Sequence, residues 1–181
     1  MFIAKNNDLI VLAKETREEL EQALQFMVYT SIEETDVNYV LHNGQYLTEE
    51  EIEIKEHERI QELSMTRSDF FDGTIMAWGI GQDELLLLIQ GLLATLPIED
   101  VKKLIAINNF KNALNFYRKH DLFKMLVGIP IQLTDTQRII IQNEHLDKFF
   151  DEVDKGNKET AWQYLPPIEI ISESIENEEV Q

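Results

Sequence analysis

Cysteine is absent from all 181 residues, so no disulfide, thiolate metal site or cysteine nucleophile can be built. That fits a reducing cytoplasm. Long apolar runs are also lacking. The longest, Leu85 to Ile89, is far short of the roughly 20 residues that a membrane-spanning helix needs, and no membrane partner is expected. The N-terminus, MFIAKNNDLIVLAKE, has no basic start followed by a long apolar stretch, so a signal peptide is not expected. Basic residues are scarce, 16 against 34 acidic, for a formal net charge of −18. A phosphate backbone would be repelled, which argues against direct nucleic-acid binding. The charge suits solubility, a cationic protein partner, or mimicry of nucleic acid.

Motifs of chemistry are missing too. There is no G-x-S-x-G, P-loop or G-x-G-x-x-G, and Gly79-Ile80-Gly81 reads as a helix break. The four histidines, His42, His57, His120 and His145, stand apart. His57-Glu58 begins a zinc-protease pattern, but the second histidine position holds Gln61. Glu49 to Glu51 are consecutive on a helix and do not share a face. Asp69 and Asp72 do share one, but have no third ligand. Ser64 and Ser68 lack a neighbouring base. No enzyme, metal or cofactor is expected. A helix-turn-helix rhythm, Asp121 to Gly128 and then Asp135 to Gln142, offers only Arg138 as a cation in its second helix, which is poor equipment for DNA.

What is present is patterned. A chain of this length allows one domain or two small ones, and 44% hydrophobic content supplies a core. Phe2 to Ala13 reads as a β-hairpin turning at Asn6-Asn7-Asp8, because Asn and Asp tolerate positive φ. Thr16 to Glu19 fits a capping box. Leu20, Ala23, Leu24 and Met27 follow at helical spacing, predicting a helix from Arg17 to about Met27. Val37 to Leu47 is a second hairpin, signalled by Asn43-Gly44. Thr48 to Glu51 is another capping box, opening an acidic helix towards Leu63. Its thin apolar stripe, Ile52, Ile54, Ile60 and Leu63, reads as a solvent-bridging connector.

Thr66 caps a further helix whose apolar face is Phe70, Phe71, Ile75 and Trp78. Gln82 to Leu96 is a strongly apolar helix, and Pro97 to Asp100 opens the next. A short helix, Asp121 to Leu126, ends at Gly128. Leu133-Thr134-Asp135 caps a last one that carries Ile139, Ile140, Leu146, Phe149 and Phe150. The fold class is therefore α+β. A small hairpin-and-helix lobe (1–47) and a linker helix (48–65) precede an all-α bundle (66–152) and an acidic tail (153–181). The tail is expected to be extended and, in its last part, disordered. Its Trp162, Tyr164, Ile168 and Ile170 either dock back on the bundle or anchor a protein partner.

LSMTRSDFF (Leu63 to Phe71) and ALNFYR (Ala113 to Arg118) resemble the MTR-x-D-(F/V)-F and A-x-x-FYR patterns of small prophage and phage proteins of low-GC bacteria. The order also matches: a short β-containing lobe, NG-x-YL, an acidic linker, then the two motifs, over roughly Val37 to Phe150. That family commonly ends near a Phe-Phe pair and a short acidic segment. Here Phe149-Phe150 is followed by about thirty residues, for which the resemblance implies nothing. It implies a setting in tail and tail-fibre loci, action by protein–protein interaction in the host cytoplasm or on the virion, and no catalytic residues. The partner would be a tail or tail-fibre protein. The acidity raises an alternative, an inhibitor of a basic host nuclease. Within the motifs, Thr66 is expected as an N-cap, and Phe116, Tyr117 and Arg118 as a core-facing aromatic pair beside a surface cation.

Overall fold

A computed structural model describes residues 1–171 and divides the chain into two compact units, Met1–Arg59 and Ile60 onward. The first unit is built on the two hairpins. β1 (Phe2–Asn6) and β2 (Leu9–Lys14) pair antiparallel, turning at Asn7, whose φ is +56°. α1 (Arg17–Ala23) starts at Thr16, whose hydroxyl accepts from the Glu19 amide at 3.2 Å. It ends earlier than the spacing predicts. The chain tightens into a 3₁₀ turn at Leu24–Phe26, so Leu20 and Leu24 are buried while Met27 lies beyond the helix, exposed. A strand that the sequence did not reveal, β3 (Ser31–Glu34), then pairs with β1, giving the sheet order β2-β1-β3. β4 (Val40–His42) and β5 (Gln45–Leu47) form the second hairpin around Asn43 (φ +48°) and Gly44 (φ +80°), the two successive positive angles of a type I′ turn. The buried core is small: Ala4, Leu20 and Leu24, flanked by Phe2, Val11, Leu12 and Ile32.

α2 (Glu49–Glu62) opens with a complete capping box. The Glu51 amide donates to the Thr48 hydroxyl at 3.1 Å, and the Thr48 amide to the Glu51 carboxylate at 2.8 Å. The helix has no buried residue, and the boundary between the units falls within it.

The second unit is not the all-α bundle that the periodicity suggests. Its helices are α3 (Arg67–Trp78), α4 (Gln82–Thr95), α5 (Asp100–Asn112), α6 (Asp121–Leu126), α7 (Asn143–Asp154) and the single turn α8 (Lys158–Ala161). Between them run five short strands. β6 (Ser64–Thr66) pairs antiparallel with β7 (Asn115–Tyr117), and β8 (Pro130–Thr134), β9 (Gln137–Ile140) and β10 (Glu169–Ile170) form a sheet of order β10-β9-β8. Thr134 to Thr136 is therefore a hairpin turn and not a helix cap, and the last long helix begins at Asn143. The β-branched cluster Ile129, Ile131, Ile139, Ile140 and Ile141 suits a pleated surface better than a helix. The same strand removes the second helix of the helix-turn-helix reading. α7 is instead capped by Gln142, whose amide donates to Nδ1 of His145 at 3.2 Å.

Seven of the nine phenylalanines meet in this core: Phe70, Phe71, Phe110, Phe116, Phe123, Phe149 and Phe150. Phe110 and Phe116 stack at 4.6 Å, and Phe70 meets Phe71 and Phe110 edge-on. Ile75, expected on the apolar face of α3, is half exposed. Gly73 takes the contact side instead. A Cβ there would lie 2.5 Å from the Phe149 ring, so only glycine allows α7 this approach. The stretch from 153 to 171 is built onto the unit and is not an extended tail. Ala161 and Leu165 are buried, and the buried Trp78 Nε1 donates to the Pro166 carbonyl at 2.8 Å. The disorder expected for the last part of the tail lies outside the described residues.

Candidate partner-binding surfaces

The four aromatic and aliphatic side chains singled out after residue 160 have different fates. Trp162 and Tyr164 lie on a 3₁₀ turn (Trp162–Tyr164) that packs against α3 and α7. Trp162 is half-buried, and its Nε1 donates to the Glu159 carbonyl at 3.0 Å. Ile168 packs against the core. Tyr164 and Ile170 remain exposed, the latter on β10, where Glu169 is paired with Arg138 at 2.8 Å.

The two resemblance motifs come together in space. Met65 of the MTR segment sits opposite Phe116 of the FYR segment in the β6–β7 ladder. Thr66 is the N-cap of α3, accepting from the Asp69 amide at 3.2 Å. Arg67 reaches the C-terminal end of α5, where its guanidinium donates to the carbonyls of Phe110 (3.0 Å) and Ala113 (3.2 Å) and lies over the Phe71 ring at 5.0 Å. A cation there also complements the helix dipole. Arg118 is not the surface cation expected from its sequence neighbours. It is 2% exposed, donates from Nε to Asp147 at 2.6 Å and from Nη2 to the Asn143 side chain at 2.8 Å. Tyr117, expected to face the core, is 40% exposed. Alternation along β7 explains the exchange, since Phe116 and Arg118 point to one face and Tyr117 to the other.

The titratable candidates hold local contacts. Asp69 accepts from the Thr66 hydroxyl and from Lys158, both at 2.8 Å. Partial burial opposes its charge, but the bonds from Lys158 and Thr66 outweigh that and hold its pKa below the usual value. Asp72 accepts from the Ser68 hydroxyl at 3.2 Å. Among the described residues no cluster of three histidine or acidic side chains is placed to share a metal ion, and no helix is long and apolar enough to cross a membrane.

Two surfaces that the periodicity did not flag are the more distinctive. In the first unit, Phe26, Met27, Val28 and Tyr29 follow one another along an exposed connection, Phe26 at 97% and Val28 at 78%. Both ends of the connection are fixed. Leu24 is buried before it. After it, the Thr30 amide donates to the Lys5 carbonyl at 2.6 Å, and the Thr30 hydroxyl accepts from the Asn7 amide at 3.0 Å. Four consecutive apolar residues exceed what one helix face can bury, and that was the available signal. In the second unit a groove of about 940 Å³ runs between α5 and the 119–129 segment. Phe110, Ala106 and Leu122 form part of its apolar lining, with Lys102, Lys119, His120 and Lys124 beside them. Burial lowers the His120 pKa, with Asp121 offsetting part of that effect. No family model, no curated protein and no solved structure matches this chain.

Proposed function

We propose that this is a non-enzymatic phage or prophage protein that acts by binding another protein, as a tail-fibre assembly helper or a minor tail component. The observation that supports binding is the Phe26–Tyr29 connection, four apolar side chains held out from a sheet by anchored ends. Burying a side chain such as Phe or Val against a partner is worth about 1.5–3 kcal/mol, and contiguous exposed apolar surface marks interaction sites. The phage setting rests on the resemblance of LSMTRSDFF and ALNFYR, and Trp162, Tyr164, Ile168 and Ile170 remain secondary candidates, with Tyr164 and Ile170 the most accessible.

Quantitative mass spectrometry of a phage lysate tests this reading by comparing purified virions with the soluble fraction. Fixed copies per virion indicate a tail component. Absence from virions, with a tail-fibre protein co-purifying from the soluble fraction, indicates an assembly helper. In both cases the Phe26→Asp, Val28→Asp double variant should lose the association. Association unchanged in that variant would overturn the reading.

A second reading, an acidic inhibitor of a basic host nuclease, is favoured by α2. Seven glutamates, Glu49, Glu50, Glu51, Glu53, Glu56, Glu58 and Glu62, line a helix with no buried residue. Binding of that kind weakens steeply with salt, whereas apolar docking at Phe26 does not.

A further inference from the structure

The positive charge of this acidic protein is not spread evenly. Asp100 to Met125 holds six of the 16 basic residues, Lys102, Lys103, Lys111, Arg118, Lys119 and Lys124, against two acidic ones, Asp100 and Asp121. Arg118 is buried within the core. Three of the others, Lys102, Lys119 and Lys124, border the groove along α5. Their partners, Glu99, Glu62 and Asp121, are mostly exposed, and exposed pairs of this kind contribute little. The lysines are therefore free to exchange those partners for others at small cost.

The groove is apolar where it is deep. Ile98, Ala106, Phe110, Leu122, Met125 and Val127 line it. Along α5 an apolar stripe continues outwards: Val101 is 66%, Leu104 66% and Ile105 53% exposed. Val101 and Ile105 are spaced as neighbours on one helix face, a face that α5 leaves exposed in its own unit, and Ile98 precedes the helix at the same end of the groove. At 1.5 Å per residue α5 offers a contact line of about 20 Å.

We propose that this groove docks an acidic amphipathic helix of a partner protein. The partner's apolar face would lie on Ile98, Val101 and Ile105, in the manner of helix-in-groove recognition. Its flanking Asp and Glu side chains would meet Lys102, Lys119 and Lys124. The groove belongs to the second unit and the Phe26–Tyr29 connection to the first, and docking in the groove does not require that connection.

The test uses the full chain and a fluorescent synthetic peptide of leucine and glutamate in amphipathic helical order, with a second peptide carrying lysine in place of glutamate. Anisotropy should show binding of the glutamate peptide alone, weakening as salt rises. Ile105→Asp, and separately the Lys102→Glu, Lys124→Glu pair, should each weaken it by about tenfold or more. Circular dichroism checks that both variants fold; all three side chains are exposed. Phe26→Asp should leave peptide binding unchanged. Equal binding of the two peptides, or affinity unaffected by the groove variants, would overturn the proposal. Self-association abolished by Ile105→Asp would assign the groove to a second copy instead. Peptide affinity rising about tenfold when the chain is cut after Ile171 would assign it to the chain's own acidic end. Either result would also overturn the proposal.

Discussion

Arg118 should be the most sensitive polar residue of the second unit, and its partners set how sensitive. Its side chain is 2% exposed, whereas that of Asp147 is 22% exposed. Removing one partner of a fully buried ion pair costs about 3–5 kcal/mol. The two single variants should then differ. Arg118→Met keeps most of the apolar stem and leaves a carboxylate that still touches water, so the cost should be about 2–3 kcal/mol, below that range. Asp147→Leu leaves the buried guanidinium with only the Asn143 oxygens, and should cost about 3–5 kcal/mol. The double variant removes both charges and should cost less than the sum of the singles by about 2 kcal/mol, as contacting residues do. Urea unfolding, followed by the fluorescence of Trp78 in the same core, gives all four corners of the cycle. Additive costs, or single losses within the ~0.5 kcal/mol of an ordinary surface substitution, would refute the assignment of Arg118 as a structural cation.

Gly73→Ala gains up to about 1 kcal/mol of helix propensity. It also forces a methyl to within 2.5 Å of the Phe149 ring, an overpacking worth about 1–3 kcal/mol. The net result should be a lower Tm, and a higher one would show that α7 shifts freely. Trp78→Phe removes the bond to the Pro166 carbonyl and should cost about 1 kcal/mol, with faster amide exchange concentrated between residues 158 and 170. Uniform exchange across the unit would contradict that link. Asp69 contributes stability that is present above its unfolded pKa and lost as pH falls through its lowered folded value. Asp69→Asn should therefore flatten the acid limb of the stability profile, and an unchanged acid limb would count against the Lys158 and Thr66 bonds.

Local signals in the sequence translate well into local structure. Thr16, Thr48 and Thr66 all cap helices, and Asn43-Gly44 turns a hairpin. These features depend on residues a few positions apart. The strands of the second unit were not legible because each spans five residues or fewer, and β6, β7 and β10 have distant partners. Ser64 pairs with Tyr117, for example, across more than 50 positions. β8 and β9 are neighbours in sequence, but the isoleucine-rich run around Ile139 falls in with the period of the helix that follows it, against the strand preference of β-branched residues. Arg118 was misread for a related reason. Its burial is decided by Asp147 on α7, about 30 residues away, and nothing beside it in the sequence announces that carboxylate. Among the candidate binding residues, Ile168 was absorbed by the core, whereas Phe26, two positions after the buried Leu24 on the turn that follows α1, was left exposed.

The measurement closest to the proposed function is photo-crosslinking from position 26 during phage production, with a photoreactive phenylalanine analogue replacing Phe26 and mass spectrometry identifying what it joins. The exposed side chain at 97% tolerates the replacement. The expected product is a single tail or tail-fibre protein, abolished by Val28→Asp. Crosslinks to no protein, or the same products from an exposed polar position such as Glu50, would contradict a partner-binding role for this connection.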